Sequence, residues 1–268
     1  MGAIGHVIAR ALDGRADVVK VDRTRHPLRE GEAPVDAAVV CVKTYGTEWA
    51  ADVAARVLSS DGVVATVQNG LGNVETLAKR VDPARVAAGA IYVGAELVDG
   101  KLEATGPGRV QLGRPPHAGA AAHLERLANT LAQGGMTVSV VDDPWPAVWA
   151  KLVVNAAMNP TTAIFGLRNP ELLEHPAGRP IADELARETA RVATASGVPI
   201  DEAGAPASWH AVATFVNRSS MLQDVAAGRP TEIDAINGAI VREGERRGVA
   251  TPVNEAITLL MRAVEAKR

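Results

Sequence analysis

Over the first half of the chain, short β-branched runs alternate with amphipathic segments. Runs at 17–21, 37–42, 62–67 and 85–93 read as strands, and 4–12, 47–58 and 71–80 as the helices between them, each followed closely by Gly or Pro. Such alternation predicts an α/β layer built on a mostly parallel sheet. Residues 101–112 alternate polar and apolar positions around Gly106-Pro107-Gly108, which predicts an antiparallel hairpin at a sheet edge. A helix is expected over 123–131 and a last strand over Thr137–Val141.

The pattern changes at Asp142-Asp143-Pro144-Trp145-Pro146, where two prolines end the strand periodicity. Beyond it the period is helical throughout, with helices expected over 147–165, 180–196, 208–226, 231–247 and 252–266. Gly197, Gly228 and Gly248 are placed as C-terminal stops, and Thr251-Pro252 as an N-cap and first-turn pair. The expected plan is an α/β domain over 1–143 followed by an all-helical domain over 144–268.

Composition narrows the field without naming a function. With 268 residues there is chain enough for two cores, and 28 Lys and Arg against 31 Asp and Glu leave a net charge of −3. No basic block argues for a nucleic-acid surface. The single cysteine, Cys41, follows Val39 and Val40 and reads as a buried strand residue rather than a nucleophile. Neither a charged leader before an apolar segment nor an apolar run of membrane length occurs, so a cytoplasmic, small-molecule protein is expected, with no membrane partner.

Two segments carry candidate chemistry. Gly2, Ala3, Ile4 and Gly5 open the first helix as the tail of a dinucleotide fingerprint does, where glycines let the backbone approach a pyrophosphate at a helix N-terminus. About twenty residues on, Asp22 would suit a ribose 2′-hydroxyl, whereas Arg23 and Arg25 would suit a 2′-phosphate; a merely solvated loop is the alternative. The expected first domain is therefore Rossmann-like.

The second segment is more informative. Lys151, Asn155 and Asn159 recur at four-residue spacing and fall within about 80° of one another on a helix. Their neighbours Trp149, Leu152, Val153, Val154 and Met158 are apolar. An ammonium and two amides on a buried helix each cost several kcal/mol unless they face a polar cavity or ligand; a solvated stripe on a surface helix is the alternative.

The stretch Lys151-x-x-x-Asn155-x-x-x-Asn159-Pro160-x-Thr162-Ala163 resembles the signature of the ketopantoate reductases. Val67-Gln68-Asn69-Gly70-Leu71-Gly72, Ser219-Ser220-Met221-Leu222-Gln223-Asp224 and Thr231-Glu232-Ile233-Asp234-Ala235-Ile236-Asn237-Gly238 fit the same family in order, so that the resemblance spans nearly the whole chain. It implies NADPH-dependent reduction of 2-dehydropantoate (ketopantoate) to pantoate, on the way to pantothenate and coenzyme A. Lys151 matches the general acid and Glu232 a carboxylate near the lysine and the cofactor or substrate. Asn155 and Asn159 match residues that hold the substrate and orient the lysine, and Asn169, Asn217 and Ser220 polar groups around its hydroxyl and carboxylate. Asn69 matches a contact on the nicotinamide side, Lys43 a lysine at the cleft, and Ala95 a backbone contact on the cofactor. From the residues alone, Thr231-Glu232 could equally cap the following helix, and Lys43 could simply be solvated. Helical C-terminal domains in such enzymes can pair, which makes a homodimer one expectation.

Two departures concern the cofactor end. The first strand and first glycine of the fingerprint are missing from the sequence, and 26–35 is shorter than the family's usual connection. The expectation is an incomplete sheet with weakened NADPH binding, unless the start codon has been assigned too late. Two other readings stand beside ketopantoate reduction: a cofactor-deficient relative that binds keto acids or regulates, and a reductase for another small 2-keto acid.

Overall fold

The computed structural model describes residues 2–22, 34–98 and 100–267. The chain divides into two units, Met1–Gln68 with Gly72–Pro144, and Asn69–Leu71 with Trp145–Arg268.

The first unit is a Rossmann-like α/β layer. After helix α1 (Ala3–Leu12) come strand β1 (Val35–Val40), helix α2 (Thr47–Val57), strand β2 (Leu58–Thr66), helix α3 (Asn73–Leu77) and strand β3 (Val86–Tyr92). Then follow β4 (Ala95–Val98), β5 (Lys101–Ala104), β6 (Arg109–Gly113), α4 (Ala118–Gln133) and β7 (Thr137–Val141). The sheet runs β1-β2-β3-β6-β7; β1, β2 and β3 are parallel, β6 is antiparallel to β3, and β7 is parallel to β6. Val63, Ala65, Val67, Ala87, Ile91, Val110 and Leu112 form a core with Val7 and Ile8 of α1 and Leu124 and Leu131 of α4. The buried runs at 62–66 of β2 and 86–91 of β3 are what a sheet covered on both faces requires.

Three expectations fail here. Residues 17–21 carry no strand, although Asp22 makes a single bridge. A strand needs a ladder partner, and Val18 and Val19 stay exposed, so β-propensity alone does not order this segment. The hairpin also pairs differently: 101–104 joins Ala95–Val98, and 109–113 instead enters the main sheet between β3 and β7. The helix expected over 71–80 shrinks to α3, because Gly70 and Gly72 hold left-handed backbone at φ +79° and +89°.

The second unit is helical: α5 (Trp145–Phe165), α6 (Asn169–Glu174), α7 (Gly178–Ala195), α8 (Ala205–Ala213), α9 (Ser220–Ala226), α10 (Asn237–Arg247) and α11 (Pro252–Ala266). Helix α5 is the axle, packing on α7, α8, α9 and α11. Its residues 156–163 are all buried, whereas Ala150, Lys151, Val154 and Asn155 retain some exposure. The helix expected over 208–226 is broken in two, because Asn217 accepts from Asn169 N through its backbone carbonyl (3.2 Å) and Ser219 caps α9. The helix expected from 231 starts only at Asn237, after a run of turns. Helix α6 was not foreseen.

Candidate active site

The polar stripe on α5 meets two other segments of its own unit. Glu232, 5% exposed, lies in the turns before α10 and does not cap that helix, whose N-cap is Ile236. Its carboxylate accepts from Asn69 Nδ2 at 3.2 Å, and Asn155 Nδ2 donates to Asn69 Oδ1 at 3.4 Å. Burial pushes the Lys151 ammonium down to about 8, against the attraction of Glu232, which raises it. Lys151, Asn155, Asn69 and Glu232 thus form one group. Asn159, 3% exposed, lies one turn further along α5.

Asn69 is delivered by an unusual backbone approach. Leu71 N donates to the Ala235 carbonyl at 2.9 Å, and a Cβ on Gly70 would stand 2.1 Å from that same oxygen. Only a glycine lets the 69–71 segment sit so close to the 232–236 turns. Gly70 was not singled out by the sequence; the signal was its place directly after Asn69.

A second pair lies at the start of α6. Asn169 Nδ2 donates to Asn217 Oδ1, while the buried Asn169 Oδ1 has no hydrogen-bond partner among the described residues. Ser219 accepts from Leu222 N at 3.1 Å and bonds the buried Thr162 hydroxyl at 2.7 Å, which ties the first turn of α9, with half-buried Ser220 at its head, to α5.

The remaining candidates lie in the first unit. Gly2 is the N-cap of α1, with Ala3, Ile4 and Gly5 in its first turn; no side chain caps it and the turn holds no acidic residue. A Cβ on Gly2 would meet nothing within 4 Å among the described residues, so the start of α1 has room for a group to approach, as a dinucleotide phosphate would need. Lys43 follows β1, and Gln68 follows β2; Gln68 Nε2 donates to the Val42 carbonyl and to Thr47 Oγ1, both at 2.9 Å, so one amide joins the ends of two parallel strands. Ligands of open α/β sheets gather beyond such ends. Ala95 begins β4. The expectation for Arg23, with Arg25, lies outside the described residues. Cys41 follows β1, packs against the core and has its thiol pushed up to about 12 by burial, which suits no nucleophile. Among the described residues no group of His, Cys, Asp and Glu could hold a metal ion, and no helix is long and apolar enough to cross a membrane.

Residues 27–117 match the family described as "Ketopantoate reductase PanE/ApbA", and residues 144–265 its counterpart "Ketopantoate reductase PanE/ApbA C terminal". The chain is 39% identical to the 2-dehydropantoate 2-reductase of Archaeoglobus fulgidus over 232 residues, covering 86% of this chain and 77% of that protein. Among solved structures, a PanE/ApbA family ketopantoate reductase from Ralstonia eutropha is 30% identical with a TM-score of 0.76, covering 88% of this chain and 77% of that one. A ternary structure of D-mandelate dehydrogenase with NADH and anilino(oxo)acetate is 27% identical with a TM-score of 0.81, covering 89% and 79%.

Proposed function

The chain belongs to the ketopantoate reductase family, and we propose that it reduces ketopantoate to pantoate with NADPH, using Lys151 as the general acid. The observation that carries this reading is the grouping of Lys151 and Asn155, on one face of a mostly apolar helix, with Glu232 and Asn69 from two other segments.

The nicotinamide, when bound, supplies a hydride to the keto carbon. As negative charge builds on the keto oxygen, an ammonium poised beside it stabilises and then neutralises that charge by giving up a proton. A Lys151 group near 8 is mostly protonated at neutral pH and yet gives its proton up more readily than an ordinary lysine. Glu232 holds the ammonium in place by charge, and Asn69 holds Glu232. Asn155 and Asn159 supply amides for the substrate's oxygens; Asn169, Asn217 and Ser220 serve its hydroxyl and carboxylate. For the cofactor, the Gly2 to Gly5 turn would take the pyrophosphate and Arg23 the 2′-phosphate; Lys43 and the Ala95 backbone are the further cofactor contacts proposed in the first unit, and Asn69 and Glu232 those proposed in the second. The NADH in the D-mandelate dehydrogenase complex supports a nicotinamide cofactor. The work divides between a cofactor domain over 1–143, apart from Asn69–Leu71, and a catalytic domain over 144–268 that takes in those three residues; a cytoplasmic setting fits the pathway, and a homodimer through the helical domain completes the proposal.

The test follows NADPH absorbance with ketopantoate, repeated with NADH and with an aromatic 2-keto acid. Turnover that falls about 10²- to 10⁴-fold in Lys151→Ala supports the acid; a variant keeping most of its kcat refutes it. The lack of a strand over 17–21 among the described residues favours a second reading, a keto-acid binder with little cofactor affinity. Calorimetric titration with NADPH separates them: micromolar binding excludes the binder.

A further inference from the structure

Helix α5 contains Pro160, which has no N–H to give to the carbonyl four residues earlier, that of Ala156. An orphaned buried carbonyl in mid-helix bears its full desolvation cost unless another donor reaches it. One does: Asn237 Nδ2, fully buried at the start of α10, donates to the Ala156 carbonyl at 3.0 Å. The same nitrogen donates to Asn254 Oδ1 at 3.0 Å, and Asn254 Nδ2 in turn donates to Glu188 Oε2 at 2.7 Å. Glu188, 1% exposed, also accepts from Val253 N and Asn254 N at 2.9 and 2.8 Å. Asn237 is therefore not an adaptable surface amide. It is braced from behind by a carboxylate that caps the first turn of α11.

Asn237 closes the short run of turns that Glu232 opens, and the Glu232 carbonyl accepts from Ala235 N and Ile236 N, both at 3.0 Å, so the run is stiff. Its other end is pinned to α5 at Ala156, next to Asn155 and just over one turn from Lys151. The bond from Asn237 to Ala156 thus joins the element carrying the carboxylate to the element carrying the ammonium.

We propose that Asn237 is a positioning residue, standing in for the backbone donor that Pro160 lacks and thereby setting the spacing of Lys151 and Asn155 from Glu232. This rests on the reductase reading for its catalytic meaning, but the coupling between residues 160 and 237 is independent of it. In Pro160→Ala the backbone N–H returns to Ala156, so the side-chain donor becomes redundant.

The test is a double-mutant cycle on the full chain: Pro160→Ala, Asn237→Ala, and both together. Two readouts are taken, kcat and KM with ketopantoate and NADPH, and the pH dependence of Lys151 acylation by an amine reagent, read by mass spectrometry. Asn237→Ala alone is expected to lower kcat about tenfold or more, with KM changed less. It also moves the Lys151 titration to lower pH, because Glu232 no longer steadies the ammonium. In the Pro160→Ala background the same substitution is expected to change kcat by less than about twofold and to leave the titration in place. Equal effects in both backgrounds, or a loss of melting temperature alone with kcat and titration unmoved, overturn the proposal. Should Asn237→Ala fail to fold by itself, its recovery as folded protein with wild-type Lys151 titration only beside Pro160→Ala supports the proposal; failure in both backgrounds sinks it. Absence of turnover in the wild type refutes the reductase reading, and the acylation arm then still decides the role of Asn237.

Discussion

Asn69 donates to the Glu232 carboxylate at 3.2 Å across 163 positions of sequence. Asn69 is presented by the one segment of the N-terminal half that belongs to the helical unit. The Lys151 group is therefore assembled from three stretches of chain, of which only α5 is regular where it contributes.

The first prediction concerns Gly70. Its φ of +79° and the 2.1 Å from a would-be Cβ to the Ala235 oxygen leave no room for a side chain. Gly70→Ala is expected to cost about 1–3 kcal/mol in a urea unfolding curve and to lower kcat/KM by displacing Asn69 from Glu232. A variant as stable and active as the wild type would show that the approach is not needed.

The second concerns pH and rate. A general acid must carry its proton, and burial holds Lys151 at about 8. The kcat/KM for ketopantoate is expected to be level up to about that pH and to fall tenfold per unit above it. A profile level to pH 10 would mean that no group with this titration acts as the acid.

The third concerns pH and stability. With the folded value of Lys151 lowered from 10.5 to about 8, the unfolded chain binds more protons between those values, so stability rises with pH across that window. Below about 8 the folded protein bears the full cost of a buried ammonium. Lys151→Met is accordingly expected to be more stable than the wild type at pH 7, by on the order of 1–3 kcal/mol, with the difference shrinking toward pH 10.5. Chemical denaturation at pH 7 and 10 measures it; a gap that widens with pH contradicts the sign.

The fourth concerns the head of α9. Ser219 caps Leu222 N at a half-buried site and bonds Thr162 in buried surroundings. Ser219→Ala is expected to lower stability by about 1 kcal/mol and to raise KM more than it lowers kcat, since Ser220 and Asn217 flank the cap. Steady-state kinetics beside a thermal melt separates the two effects.

The stripe of Lys151, Asn155 and Asn159 was legible because helical phase is local: 3.6 residues per turn places positions four apart on one face whatever surrounds the helix. The parallel strands β1 to β3 were legible from their apolar runs, and Thr251-Pro252 and Gly248 from the backbone geometry that a cap and a left-handed stop require. Strand partners were not, because a β-segment has no structure until a neighbour takes its hydrogen bonds. Thus 17–21 remained without a ladder, and 101–104 chose 95–98 over 109–113.

An α/β half followed by a helical one, and the set of polar side chains that share a face of α5, could be read from the residues alone because both follow from periodicity along a single element. Tertiary structure decided what meets that face: Asn69 on a loop that Gly70 lets approach, Glu232 in a turn rather than a helix cap, and Asn237 supplying the donor missing at Pro160. Each of these rests on a hydrogen bond between groups more than 80 positions apart, and a long-range bond is selected by the packing that brings its partners together, which no local pattern encodes.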